Sequence, residues 1–297
     1  MIKVLKYSDI DFVKYTGTLR NSAQYKYSAE KDFLDITSDK NWDLLVFGNY
    51  EAVMPLPFIK KMGLKFIANP KLCQQIGIFS EEDIVARNDA ILDYFIAKFN
   101  IAYYAFNDTN SFTKPLLERR NYLIFPNDYE KVKQKYSPKR KRKLRIDEEV
   151  MRRARFSDYV EFAEAKNFIS KYFVGAAKVK DEKAFIDIFE RLALTKNLAF
   201  YGFYLDDELI NLIAIYIGSQ SVALLGTFNN REFIKISGSS YIIDKAIEAN
   251  IQSKIFDFEG SEVPSIEEFF RGFRPELRSY KVIRNSKIDI VKNLILR

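Results

Sequence analysis

Residues 235–261 read KISGSSYIIDKAIEANIQSKIFDFEGS, and they divide into a loop, a helix and a strand. Lys235 to Ser240 form a short polar turn around Gly238. A Gly-Ser-Ser turn that opens a helix exposes backbone N–H groups with no bulky side chain in the way, and the helix dipole adds positive potential there. Lys235 adds a point charge. Lys235, Ser237, Gly238, Ser239 and Ser240 are thus a candidate phosphate cradle. The plainer alternative is an ordinary N-cap, with Ser239 or Ser240 satisfying orphan amides. Residues 239–251 read as the helix and 255–258 as the strand. Side chains alternate along a strand, so Asp257 and Glu259 share one face while Phe256 and Phe258 take the other. A carboxylate at a strand end beside buried aromatics is a candidate proton acceptor. Gly260 lets a ligand approach the backbone. The alternative is a wet strand face, or a structural pairing with Arg271 or Lys254.

Upstream, residues 182–196 carry Phe185, Phe189 and Leu192 at helical spacing. Two strand-like runs, 198–205 and 209–217, flank Asp206-Asp207-Glu208, and 222–228 is a third strand. Downstream, Ser265 with Glu268 three residues on predicts a capping box for a short helix. Residues 279–284 form a last strand.

The same order occurs earlier. Residues 42–48 and 52–58 are strand-like around a turn, 64–68 is a strand, 88–99 a helix and 101–106 a strand. Residues 113–120 read as a short helix and 121–125 as a strand. Each half runs hairpin, strand, helix, strand, short helix, strand. The expected class is α+β (mixed α/β), with one domain at 1–135 and a second at 136–297 that begins with a basic connecting helix.

That helix explains the charge. The chain has 297 residues and a net charge of +7, yet residues 131–155 alone hold twelve Lys/Arg against three Asp/Glu. Ser137-Pro138 reads as a helix start, with Ile146, Val150 and Ala154 on one face. Lys139, Arg140, Lys141, Arg142, Lys143 and Arg145 are candidates for binding a polyanion such as tRNA, or else a solvated face of a connector.

The chain has no histidine and one cysteine, Cys73. That excludes Ser-His-Asp and Cys-His catalysis, a His-ligated metal and an intrachain disulfide. Cys73 reads as a packing residue, and no metal is expected. No run is apolar and long enough to span a bilayer, and the N-terminal residues lack the apolar core of a signal peptide. The expectation is a cytoplasmic protein.

The element order resembles the GNAT acyltransferase fold, in which a mixed sheet splays after its fourth strand and the cofactor pyrophosphate sits at the next helix N-terminus. Lys235 to Ser240 stands where that superfamily has Gln/Arg-x-x-Gly-x-Gly/Ala. Two tandem halves resemble the FemAB-like branch. YSPKRKRKLRIDEEV (136–150) is similar to its basic segment, KIFDFEGS (254–261) to its Asp-containing strand end, and FFRGFRPE (269–276) to its Phe-Lys-x-Gly-Phe-Gly-x-Glu segment. Here Phe270 replaces the lysine of that segment and Arg274 its second glycine.

The resemblance implies two tandem GNAT-like domains and an N-acyltransferase that moves an acyl group from acyl-CoA to a small-molecule or peptide amine, without a covalent enzyme intermediate. Asp257 or Glu259 is the expected base and Tyr241 the expected donor to the leaving thiolate. Gln74, Gln75 and Arg271 are the expected substrate contacts. A FemAB-like aminoacyltransferase using aminoacyl-tRNA is the second reading, and a non-catalytic GNAT-like binding scaffold the third.

Overall fold

A computed structural model of the chain describes residues 1–174, 179–261, 263–286 and 288–290. In chain order the elements begin with β1 (Ile2–Leu5), α1 (Phe12–Asn21), α2 (Lys31–Ser38), β2 (Trp42–Phe47), β3 (Ala52–Lys61), β4 (Leu64–Ala68), β5 (Phe79–Ser80), α3 (Val85–Lys98), β6 (Ile101–Ala105) and β7 (Leu117–Ile124). Then come α4 (Tyr129–Lys135), α5 (Pro138–Leu144), α6 (Glu148–Arg153), β8 (Ala154–Ser157), α7 (Phe162–Tyr172), α8 (Val179–Ala193), β9 (Leu198–Leu205), β10 (Glu208–Ile217) and β11 (Ser221–Asn229). The last elements are α9 (Gly238–Asn250), β12 (Ile255–Asp257), α10 (Pro264–Arg271) and β13 (Glu276–Arg284).

Contacts divide the chain into two compact units, Met1–Arg120 with Arg278–Arg297, and Asn121–Leu277. The division expected from sequence, 1–135 and 136–297, differs from this one at both ends. In the first unit the strands run β1-β2-β3-β4-β6-β13, with β5 paired to β3. In the second they run β7-β12-β11-β10-β9-β8. Each sheet is completed by the last strand of the other half of the sequence. Val282 of β13 stands beside Ala105 of β6, and Leu123 of β7 beside Asp257 of β12. Both added strands place apolar residues on core positions, including Tyr280 and Val282 in one unit and Tyr122 and Ile124 in the other.

The hairpins follow from their turns. Asp206 and Asp207 both take positive φ between β9 and β10, as a two-residue turn that matches strand twist requires. Met62 and Gly63 do the same between β3 and β4. In the second unit α9 and α10 cover one sheet face, on a core that includes Phe203, Ile213, Leu224, Phe256 and Phe258. The other face carries α7 and α8, with the Phe189 ring 6.1 Å from Phe200 and 6.2 Å from Phe228.

Three local expectations are corrected. Residues 117–120 belong to β7, not to a helix over 113–120. The capping box fails because Pro264 takes the first helical position, which makes Val263 the N-cap and leaves Ser265 inside α10. The basic connector is not one helix. Ser137 does cap α5, accepting from the Arg140 amide, but α5 stops at Leu144. Asp147 then caps α6 by accepting from the amides of Glu149 and Val150. Ile146, Val150 and Ala154 still pack on the core of the second unit.

Among the described residues, no helix is long and apolar enough to cross a membrane.

Candidate functional site

The second unit's sheet opens where β11 parts from β12. The two strands pair in parallel only through Ser221–Ala223 and Ile255–Asp257, while β11 runs on to Asn229 beside β10. The β10–β11 ladder skips Leu225, which forms a bulge opposite Ala214 and Ile215. A bulge bends and twists the strand that carries it. Leu225, Gly226 and Thr227 are only half-buried. Beyond Ala223, the edge of β11 on the β12 side has no strand partner among the described residues, and its backbone groups face a gap.

The start of α9 lies just after β11. A 3-10 turn, Arg231–Ile236, ends at Ser237 in the left-handed region (φ 67°), and α9 begins at Gly238. Ser237 is the N-cap residue, but its side chain makes no cap hydrogen bond. No hydrogen bond from the amides of Ser237, Gly238 or Ser239 is found among the described residues. Three successive N–H groups at a helix N-terminus attract an anion.

The serines that follow are engaged from the side. The Ser239 hydroxyl donates to Asn229 Oδ1 and accepts from Asn211 Nδ2 at 3.1 Å. Asn211 Nδ2 also donates to Asn229 Oδ1 at 2.8 Å. A Cβ on Gly238 would stand 2.1 Å from Asn211 Oδ1, so only glycine lets the loop sit against this pair. Lys235 is exposed on the 3-10 turn. Asn211 and Asn229 were not singled out from sequence. The signal was available in LINLIAIYI (209–217), where Asn211 is the one polar residue of a buried strand.

Glu259 lies two residues beyond the end of β12. Asp257 pairs with Ala223, so a strand continued two residues further would bring Glu259 opposite Leu225 of the bulge. The strand does not continue. Glu259 turns into the left-handed region (φ 59°), followed by Gly260 (φ 55°), and Asp257 Oδ1 accepts the Glu259 amide at 2.8 Å. The simple alternation of two acids on one wet face is therefore corrected: Asp257 is 3% exposed and Glu259 half-buried. Phe256 and Phe258 do enter the core, their rings 5.1 Å apart.

Tyr241 lies elsewhere. Its ring packs on Phe156 of β8 and Phe203 of β9, at 6.1 and 5.5 Å, on the far side of β10 from the gap. Gln74 and Gln75 belong to the first unit. Gln75 is buried and donates to Gln74 Oε1 at 2.9 Å.

The basic segment divides in two. Arg140, expected on the surface, is 4% exposed. Its Nη1 donates to the Ser240 hydroxyl in the first turn of α9, and its Nη2 to the Phe269 carbonyl at 2.7 Å. The guanidinium lies 4.2 Å from the ring centroids of both Phe269 and Phe273. Burial pulls it down from the ordinary arginine range to about 10, so it stays charged at neutral pH. Lys141 is half-buried and donates to the Gln134 carbonyl. Arg142, Lys143 and Arg145 are exposed. Lys139, also exposed, reaches Glu268 of α10 at 2.9 Å. Lys139, Arg140 and Lys143 come together with Arg271 and Arg274 around one pocket, which joins two segments 130 positions apart in kind as well as in space.

No family model matches the chain, and no curated relative does. Among solved structures, the chain is similar to FemX, with 10% identity and a TM-score of 0.64 over 91% of this chain and 95% of that one. It is similar to a conserved protein of unknown function from Bacteroides thetaiotaomicron VPI-5482, with 9% identity and a TM-score of 0.60 over 96% and 100%. A tandem GNAT protein from the clavulanic acid biosynthesis pathway matches with 10% identity and a TM-score of 0.54 over 95% and 97%. At these identities the likeness is one of fold. The fold is the tandem GNAT-like, FemAB-like one that the element order pointed to.

Proposed function

We propose that the chain is an acyltransferase that carries an acyl group from an acyl-CoA donor to an amine by direct attack. The observation that carries this reading is the gap between β11 and β12, flanked by the three unengaged amides at the start of α9. In this reading those amides receive the donor's pyrophosphate, with Lys235 beside them. The thioester lies along the free edge of β11, whose outward N–H groups stabilise the oxyanion. Glu259 takes the proton from the attacking amine, and that proton is returned to the departing thiolate. Asp257 acts on Glu259 by fixing its backbone. Tyr241, packed over β8 and β9, has no role here.

The likeness to FemX and the exposed Arg142, Lys143 and Arg145 favour a second reading, in which the donor is an aminoacyl-tRNA. It requires steeply salt-dependent tRNA binding that weakens when these cations are neutralised.

Titration with acetyl-CoA and longer acyl-CoAs tests the first reading. Saturable heat supports it. Silence with every acyl-CoA, together with salt-dependent tRNA binding, moves the function to the second.

A further inference from the structure

We propose that the pocket between α5 and α10 is a binding site for the phosphoryl group of a small phosphorylated molecule. The pocket is a half-open depression of about 410 Å³, within the range of small-molecule sites. Five cations line it, Lys139, Arg140, Lys143, Arg271 and Arg274, against one carboxylate, Glu268. Glu268 is already taken by Lys139.

Arg271 also acts on Glu268 electrostatically. The side chains of Lys143, Arg271 and Arg274 make no ion pair within 4.0 Å and no hydrogen bond among the described residues. Arg140 is the informative member, because a buried charge is costly unless it is paired. It has only neutral hydrogen-bond partners, the Ser240 hydroxyl and the Phe269 carbonyl, and its Nε is buried with no acceptor. A buried guanidinium packed against two rings, with an unsatisfied donor in a wall of a cationic pocket and with Asp244 acting on it electrostatically but no carboxylate hydrogen-bonded to it, is preorganised for a further anion.

The charge imbalance selects the class of anion. One carboxylate leaves most of the positive charge uncompensated, whereas a phosphomonoester or diphosphate carries two or more charges and several acceptor oxygens. The concave setting favours a small ligand over a nucleic-acid backbone, which is followed by cations spread along a groove. Arg142 and Arg145, two further exposed cations of the same segment, do not line the pocket. This inference stands apart from the acyl-transfer reading, since the pocket would bind its ligand whether or not the β11–β12 gap takes a donor.

The test is calorimetric titration of the full chain with inorganic pyrophosphate at fixed ionic strength. Three variants are compared with wild type: Arg271→Gln with Arg274→Asn in the pocket, Arg142→Gln with Arg145→Gln outside it, and Arg140→Lys. Asparagine suits position 274, where φ is 54°. Both residues of the pocket pair are exposed, so its melting temperature should match wild type. The expected result is saturable binding by wild type, about a hundredfold weaker in the pocket pair at roughly tenfold per charged hydrogen bond lost. Arg140→Lys should also bind more weakly, and the outer pair should bind like wild type. Three results would overturn the proposal. They are no binding by wild type, equal weakening in both pairs, or RNA binding that pyrophosphate does not displace from the pocket cations.

Discussion

Asp257 holds the backbone amide of Glu259 at 2.8 Å, and Glu259 sits in the left-handed region at φ 59°. A non-glycine residue there costs about 1 kcal/mol. Such strain gathers at functional sites, where the surroundings impose it. Glu259→Gly relieves the strain and removes the carboxylate. It should lose transfer by about a hundredfold or more, the usual contribution of a general base. Glu259→Gln should lose the same activity. Thermal melts beside single-turnover rates check both. A lowered melting temperature with undiminished transfer would make Glu259 structural.

Gly238 and Gly17 form a matched pair. A Cβ on Gly238 would meet Asn211 Oδ1 at 2.1 Å, whereas nothing lies within 4 Å of one on Gly17 in α1. Gly238→Ala should destabilise by about 1–3 kcal/mol through overpacking and should weaken donor binding. Gly17→Ala should stabilise by roughly 0.5–1 kcal/mol, the ordinary gain for a helix interior. Chemical denaturation measures both.

The exchange of strands sets the smallest foldable piece. A fragment covering 121–277 keeps β7 beside β12, while 136–277 loses Tyr122, Leu123 and Ile124 from the core. The longer fragment should give a cooperative melt. The shorter should not, because several buried large side chains are missing and each contributes roughly 1.5–3 kcal/mol.

Asp244 gives a pH signature. It is buried in α9, accepting from Tyr129 Oη at 2.9 Å, with Lys133 at 3.9 Å, and burial raises its carboxyl above the usual aspartate range. A raised carboxyl binds its proton more readily in the folded state. Its ionisation therefore destabilises the fold as pH rises through the folded value, and the penalty is fully relieved only below the unfolded one. Asp244→Asn should melt higher than wild type at neutral pH. The difference should close as the pH falls toward the ordinary carboxylate range.

Much of the fold was legible because the strands and helices of each half carry their own periodicity. The hairpin at Asp206-Asp207 and the Ser137-Pro138 helix start are local signals, and they formed as read. The strand exchange was not legible, since the choice of partner for β7 and β13 depends on contacts over a hundred residues away. The break in the basic connector had a local cue that was passed over, Asp147 followed by two glutamates, a strong N-cap sequence. The Lys235–Ser240 loop does lead into a helix, α9, and Asp257 does end a strand, β12, as the local pattern indicated. The turn of Glu259 was hidden by the assumption that the strand ran on. The burial of Arg140 was hidden by its five charged neighbours.

The central claim is that the β11–β12 gap and the start of α9 form a donor site. Its most direct test is calorimetric titration of wild type and Gly238→Ala with acetyl-CoA and longer acyl-CoAs. The account predicts saturable binding by wild type that is weakened at least about tenfold in the variant, a loss of roughly 1.4 kcal/mol. Absence of heat and of any thermal shift with every acyl-CoA would contradict it, as would a Gly238→Ala variant that stays folded and binds as tightly as wild type.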